Sequence, residues 1–234
     1  LLRIGFEKVL KEPGPHAREN VINEEGRFFE DYCNWQRIKE FKNFAEESPA
    51  AQIVAEATNS KSIQLFHEHI FVKDPGTLKE TPWHQDMPYY CIDGNDTGSF
   101  WIPLDPISKE NSLKVLLGSH KFPKLVRPTK WSNNQPWYSN NNNFMDMPDL
   151  KSIKNNVLMP DMNLGDAILF NFKMLHSSSG NSENTSRRAF SMRFIGDDVK
   201  YIERGGETSP PFKGINLKDG EKMRKDWFPV VWSN

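Results

Sequence analysis

The stretch Thr81-Pro82-Trp83-His84-Gln85-Asp86 carries the residue types best suited to chemistry. It holds a His-x-Asp pair just ahead of Tyr89-Tyr90. In an extended strand, side chains at i and i+2 share a face, so His84 and Asp86 can reach one cation while Gln85 points away. An imidazole and a carboxylate together suit Fe(II), Mn(II) or Zn(II). A chain with 6 His produces a His-x-Asp by chance about one time in three, and a His bonded to its neighbour accounts for a lone pair equally well. The metal reading therefore needs a third donor and a group that holds a substrate.

Both exist downstream. Gly165-Asp166 is turn chemistry, and the short apolar run after it reads as a strand that delivers His176 at its far end. A polar loop follows, residues 177–186, and Arg187-Arg188 opens a further apolar segment through Ile195. Two strands joined by a local loop are most simply antiparallel neighbours, which brings Arg187 near His176. Two His and one carboxylate on one face of an octahedral ion leave three positions open, the pattern of non-haem Fe(II) oxygenases. A 2-oxo acid can chelate two of these and leave one for dioxygen. Its far carboxylate then needs a cation, and arginine offers a planar, permanently charged fork. Arg187 reads equally as a surface residue paired with Glu183 or with solvent.

At these residues the chain resembles the phytanoyl-CoA dioxygenase family of Fe(II)/2-oxoglutarate oxygenases. His84-Gln85-Asp86, His176 and Arg187 carry the resemblance. It extends through Phe66-His67-Glu68-His69, Lys73-Asp74-Pro75-Gly76, Trp101-Ile102-Pro103-Leu104-Asp105-Pro106, Leu116-Leu117-Gly118-Ser119-His120-Lys121 and the C-terminal Trp227-Phe228-Pro229-Val230-Val231-Trp232. The resemblance implies Fe(II) on His84, Asp86 and His176, with 2-oxoglutarate held by Arg187, Trp101 and Ser178. Trp101 reads equally as an ordinary core residue. The family pattern sets the co-substrate arginine eleven residues after the distal His, which selects Arg187 over Arg188. Strand parity puts Phe190, Met192 and Phe194 with Arg188. Arg187 can therefore face a pocket only if Ala189 and Ser191 line it and the aromatics pack outward. Related halogenating enzymes have a small residue where Asp86 stands, so the carboxylate argues against halogenation. His120 is expected to help hold a loop.

These groups need a scaffold. A chain of 234 residues can bury one sizeable core, so a single oxygenase domain, 1–234, is expected. Short strands with turn punctuation predict a mainly β fold. The resemblance implies a double-stranded β-helix, a cupin-like jelly roll, with flanking α-helices. The barrel is expected over about 62–196 and a helical brace over about 34–58, where Trp35, Ile38, Phe41 and Phe44 form a helical stripe. Pro13-Gly14-Pro15 argues against a continuous helix in residues 1–30, which read as a short strand or loop and a polar connection. In residues 62–72, alternation puts Ile63, Leu65, His67, His69 and Phe71 on one face. His67 and His69 are then substrate-pocket residues or partly buried strand histidines without function. Residues 121–160 read as an insert that is a lid or a loose excursion, with Trp137 and Tyr138 offered to substrate. Residues 205–234 are expected to pack as an extended tail.

Composition narrows the partners. A net charge of -1 with interspersed signs argues against nucleic acid, and no apolar run is long enough for a membrane span. Leu1-Leu2-Arg3 reads as a trimmed start rather than a signal peptide. Cys33 and Cys91 make no disulfide framework, which favours a cytoplasmic setting. The expected partners are a small-molecule substrate and dioxygen; oligomeric state is not legible. The expected activity is 2-oxoglutarate-dependent hydroxylation of a small organic molecule, with succinate and CO2 released. A metal- or small-molecule-binding β module without turnover, and a zinc hydrolase on the same triad, are the competing readings.

Overall fold

The computed structural model describes residues 1–20, 26–139, 143–150 and 156–234. In chain order the elements are α1 (Leu2–Lys11), β1 (Arg18–Glu19), β2 (Phe28–Tyr32), α2 (Lys39–Glu47), α3 (Ala50–Thr58), β3 (Ser62–Lys73), β4 (Thr81–His84), β5 (Ile92–Asp93), β6 (Thr97–Pro103), β7 (Leu113–Leu116), β8 (Val157–Leu158), β9 (Ile168–Phe170), β10 (His176–Ser178), β11 (Arg187–Ile195), β12 (Lys200–Tyr201) and β13 (Val230–Ser233). The larger sheet runs β1-β2-β3-β11-β6-β9, with β13 added along β3. A second sheet runs β4-β10-β7-β8, and β5 pairs with β12. The fold is mainly β with flanking helices, as expected, although the described strands do not close into a barrel.

Three helices, rather than two, cover the outer face of the larger sheet. Phe6, Val9, Phe41, Ala45 and Val54 pack with Ile70, Val72, Phe190, Met192 and Phe194 in one buried cluster. The helix α1 corrects the strand-or-loop reading of residues 1–30. Leu2, Phe6, Val9 and Leu10 repeat at helical spacing, and Pro13 acts only after the helix has ended at Lys11. Gly5 allows this helix to approach α2, since a Cβ there would meet the Phe41 ring at 2.7 Å.

The long strand β3 carries the main departure from simple alternation. Its register against β11 slips between Arg193 and Phe194, which pair with His67 and Leu65 respectively, leaving Phe66 as the extra residue. The bulge reverses which face each parity meets. Ile63 and Leu65 therefore lie in the helix-covered core with Ile70 and Val72, while His67, His69, Phe71 and Lys73 line the cavity between the sheets. The expected single face from Ile63 to Phe71 is thus broken at Phe66.

Two further expectations change. The run after Gly165 is two strands, because a turn across residues 171–174, closed by Met174 N–H to Asn171 O, moves the chain from β9 in the larger sheet to β10 in the smaller. For the same reason β10 and β11 are not neighbours. The former pairs with β4 and β7, the latter with β3 and β6. At the C-terminus β13 joins the larger sheet, while most of residues 205–229 run without strand or helix. Of the expected insert at 121–160, residues 140–142 and 151–155 lie outside the described residues. Among the described residues no helix is long and apolar enough to cross a membrane.

Candidate metal centre and its cavity

The pairing of β4 with β10 sets His84 opposite His176, with ring centroids 4.2 Å apart. Strand β4 ends at His84, so Asp86 does not reach the site by strand alternation. It sits in the turn that follows, with α-region backbone angles, and its carbonyl accepts the Tyr89 N–H. Asp86 Oδ1 lies 3.6 Å from His84 Nε2 and 3.8 Å from His176 Nε2. These three side chains are the one group of His, Cys, Asp and Glu among the described residues whose donor atoms gather closely enough for a metal ion, all within 4.8 Å.

The backbone fixes how each imidazole points. His84 Nδ1 lies 2.8 Å from Pro82 O and His176 Nδ1 lies 3.0 Å from Met174 O. A carbonyl can only accept, so each Nδ1 carries the proton and each Nε2 keeps its lone pair for the site. Burial, and then the neighbouring His84, lower His176 to about 3, so it is neutral at ordinary pH. Burial pushes the Asp86 carboxyl up, but Arg193 and the two imidazoles outweigh that and hold it well below the usual carboxylate range. Gln85 does point away. Its amide donates to Lys173 O and accepts from Val126 N–H at 2.7 Å, anchoring the segment after residue 121 to the strand end.

The centre opens into a cavity of about 560 Å³. Arg187, Ala189, Ser191 and Arg193 line it from β11, while Phe190, Met192 and Phe194 lie under the helices. Arg188 is on the other face, where its guanidinium meets Asp105 at 2.6 Å and Glu7 at 2.6 Å. Arg187 donates to Asn111 O at 2.5 Å and to Ser178 Oγ at 3.4 Å. Burial lowers it to about 10, which leaves it charged at neutral pH. Trp101 and Ser178 also line the cavity, as do His67, His69 and Trp137. Tyr138 does not. It is buried behind the wall, with its hydroxyl donated to Pro88 O at 3.0 Å. His120 belongs neither to the donor group nor to the cavity lining.

Two cations escaped the sequence reading. Lys73, paired with Arg187 across β3 and β11, is 1 % exposed and donates to Ser178 Oγ and Ser179 O. Burial first, and then Arg187, lower its pKa well below the ordinary value. Arg193 donates its Nε to Asp86 Oδ2 at 3.0 Å. The signal for both lay in parity: Lys73 follows His67 and His69 in steps of two, and Arg193 follows Arg187, Ala189 and Ser191.

The profile of the family described as phytanoyl-CoA dioxygenase (PhyH) matches residues 2–189. The chain belongs to that family. Among curated members, human peroxisomal phytanoyl-CoA dioxygenase is 29% identical over 161 residues, covering 65% of this chain and 45% of the human protein. The bovine enzyme is 26% identical over 226 residues, covering 86% of this chain and 61% of the relative. The chain thus spans about half to three-fifths of the length of these relatives. Among solved structures, the non-haem α-ketoglutarate-dependent epimerase SnoN from nogalamycin biosynthesis superposes with a TM-score of 0.74 at 15% identity, covering 99% of this chain and 87% of SnoN. The carbocyclase SnoK from the same biosynthesis gives 0.70 at 18% identity, covering 99% of this chain and 86% of SnoK. These likenesses establish the family's fold across nearly the whole chain.

Proposed function

We propose that this protein is an Fe(II)- and 2-oxoglutarate-dependent dioxygenase that hydroxylates a small organic molecule, with succinate and CO2 as by-products. His84, Asp86 and His176 would hold the iron. The donor set suits it: two imidazoles whose Nε2 atoms face the site, one ionised carboxylate, and no fourth protein donor gathered with them among the described residues. When bound, the iron supplies the oxidative chemistry, and the chain supplies position and exclusion of water.

The observation that carries the reading is the buried, charged guanidinium of Arg187, with the buried amine of Lys73 beside it at one end of the cavity. Arg187 and Lys73 are 6 % and 1 % exposed, and neither has a carboxylate salt-bridge partner among the described residues. A buried cation without a counter-ion is costly, and a dicarboxylate reaching from the metal offsets it. Ser178 Oγ, which both cations touch, would accept their hydrogen bonds or donate to that carboxylate. Trp101 and Ala189 would flank the co-substrate, and Trp131, whose ring lies 4.8 Å from that of His84, would help exclude water. Such an anion site beside the metal distinguishes an oxygenase from a metal-binding module or a zinc hydrolase. The cytoplasmic setting rests on the two free cysteines, Cys33 and Cys91.

Succinate formation from 2-oxoglutarate, dependent on Fe(II) and dioxygen and stopped by a chelator, tests the assignment. Turnover that persists with Zn(II) in place of iron, or hydrolysis without succinate, contradicts it.

A further inference from the structure

The cavity wall away from the two cations carries polar atoms that the described residues leave unpaired or poorly paired. Pairing sets Tyr32 opposite His69 and His69 opposite Ser191, with Glu30 opposite Phe71 and His67 opposite Arg193. The Ser191 row is four residues along β11 from Arg187, or about 13 Å. In this patch His67 Nε2 and Arg193 Nη1 are buried without a hydrogen-bond partner, and Glu30 Oε2, His69 Nε2 and Asn20 Nδ2 are buried with no well-aligned one. Against the effect of burial, His69, with Nε2 at 3.3 Å from Glu30 Oε2, and Asn20 are weak partners of the Glu30 carboxylate and lower its pKa. Folded proteins satisfy most buried polar side-chain atoms, so this cluster of unpaired and poorly paired atoms points to a ligand that completes them.

Their chemistry defines the ligand. His67 gives its Nδ1–H to Glu68 O, and burial, then Arg193, keep the ring neutral, so Nε2 is an acceptor. Glu30 Oε2 is an acceptor too, while Asn20 Nδ2 and Arg193 Nη1 are donors. A hydroxyl meets both needs at once, because it donates one proton and accepts on its lone pairs. The local charges cancel: Arg18, bonded to Tyr32 Oη at 3.5 Å, stands against Glu30, and Arg193 against Asp86. The rings of Tyr32, Tyr90 and Trp137 give flat apolar faces for the carbon skeleton. A straight alkyl chain would leave every one of these polar atoms unpaired.

We propose that the organic substrate is a small, uncharged, multiply hydroxylated molecule whose hydroxyls bind Glu30, His67, Asn20 and Arg193. This rests on the oxygenase reading above. The test uses the full chain loaded with Mn(II), which replaces iron without turnover, and calorimetry. 2-Oxoglutarate is titrated first, then methyl β-glucoside, myo-inositol and hexadecanoyl-CoA in turn. We expect 2-oxoglutarate to bind, at least one polyol to bind saturably, and the acyl-CoA not to compete. Glu30→Gln and, at the half-buried rim, Asn20→Ala should each weaken the polyol about tenfold or more. Saturable acyl-CoA binding without polyol binding overturns the proposal, as does polyol affinity indifferent to both substitutions. If 2-oxoglutarate binds and neither polyol does, this inference alone falls. If 2-oxoglutarate itself fails to bind the metal-loaded protein, the oxygenase reading falls and takes this one with it.

Discussion

Arg193 and Asp86 form a buried ion pair, Nε to Oδ2 at 3.0 Å, that leaves Asp86 Oδ1 as the oxygen facing the two imidazoles. One carboxylate oxygen is thereby committed to the protein and the other is left facing the site where a metal would bind. Toward the metal donors, Arg193 acts through Asp86 and is a positioning residue.

Two effects oppose each other in an Arg193→Gln variant. Loss of the guanidinium frees the carboxylate to rotate, and disturbed outer partners typically weaken metal binding about 10- to 100-fold. Loss of its positive charge removes a repulsion on the ion. Because the pair is buried and Arg193 Nε bonds Asp86 Oδ2 directly, we expect orientation to win and Mn(II) affinity to fall within that range. Equal or tighter Mn(II) binding in a direct titration would show that the repulsion dominates.

The opposed faces of Arg187 and Arg188 give a paired test. Arg187→Ala should raise the half-saturating 2-oxoglutarate concentration about 30- to 1000-fold, the equivalent of about 2–4 kcal/mol for a buried charge-assisted contact. Arg188→Ala removes an outer-face contact to Asp105 and Glu7 and should leave that concentration nearly unchanged. A large co-substrate defect in the Arg188 variant would place the wrong arginine in the cavity.

Lys73→Met tests whether the second cation shares the co-substrate carboxylate. Methionine keeps the length of the buried stem and its packing on Phe28, over which the ammonium now sits at 4.4 Å. We expect weaker 2-oxoglutarate binding, about tenfold, with metal affinity unchanged, since Lys73 touches none of the three donors. Unaltered 2-oxoglutarate affinity would confine Lys73 to bracing residues 178–179.

Glu68 gives a pH dependence outside the site. Its carboxylate accepts the Asn34 and Trp35 N–H groups, pinning the turn into α2, yet burial raises it from 4.5 to about 7. A raised folded-state value means that folding takes up a proton. The stability it contributes is therefore complete below about pH 4.5 and is lost as pH rises through about 7. Urea midpoints of the wild type should decline across that window more steeply than those of Glu68→Gln. Parallel profiles would assign the decline to other groups.

Much of this was legible in the sequence because the chemistry needs rare residue types. His84, Asp86, His176 and the arginine eleven residues on stand out by kind and order. Strand parity grouped Arg187 with Ala189 and Ser191, and all three line the cavity. Where inference failed, the cause was a local break in periodicity. The bulge at Phe66 inverts half of β3, the turn at 171–174 splits one apolar run between two sheets, and Asp86 lies past its strand. Such breaks depend on long-range pairing, which a single strand does not encode. The buried roles of Lys73 and Arg193 were hidden because long cationic side chains look like surface residues until their strand's inward face is known.

The most direct measurement is succinate release from 2-oxoglutarate by the purified full chain with Fe(II) and dioxygen, set beside His84→Ala, Asp86→Ala and His176→Ala. Three donors leave no spare, so the wild type should form succinate and each variant should lose iron-dependent turnover almost entirely. Near-normal succinate formation in any one of the three would remove that residue from the metal centre and contradict the account.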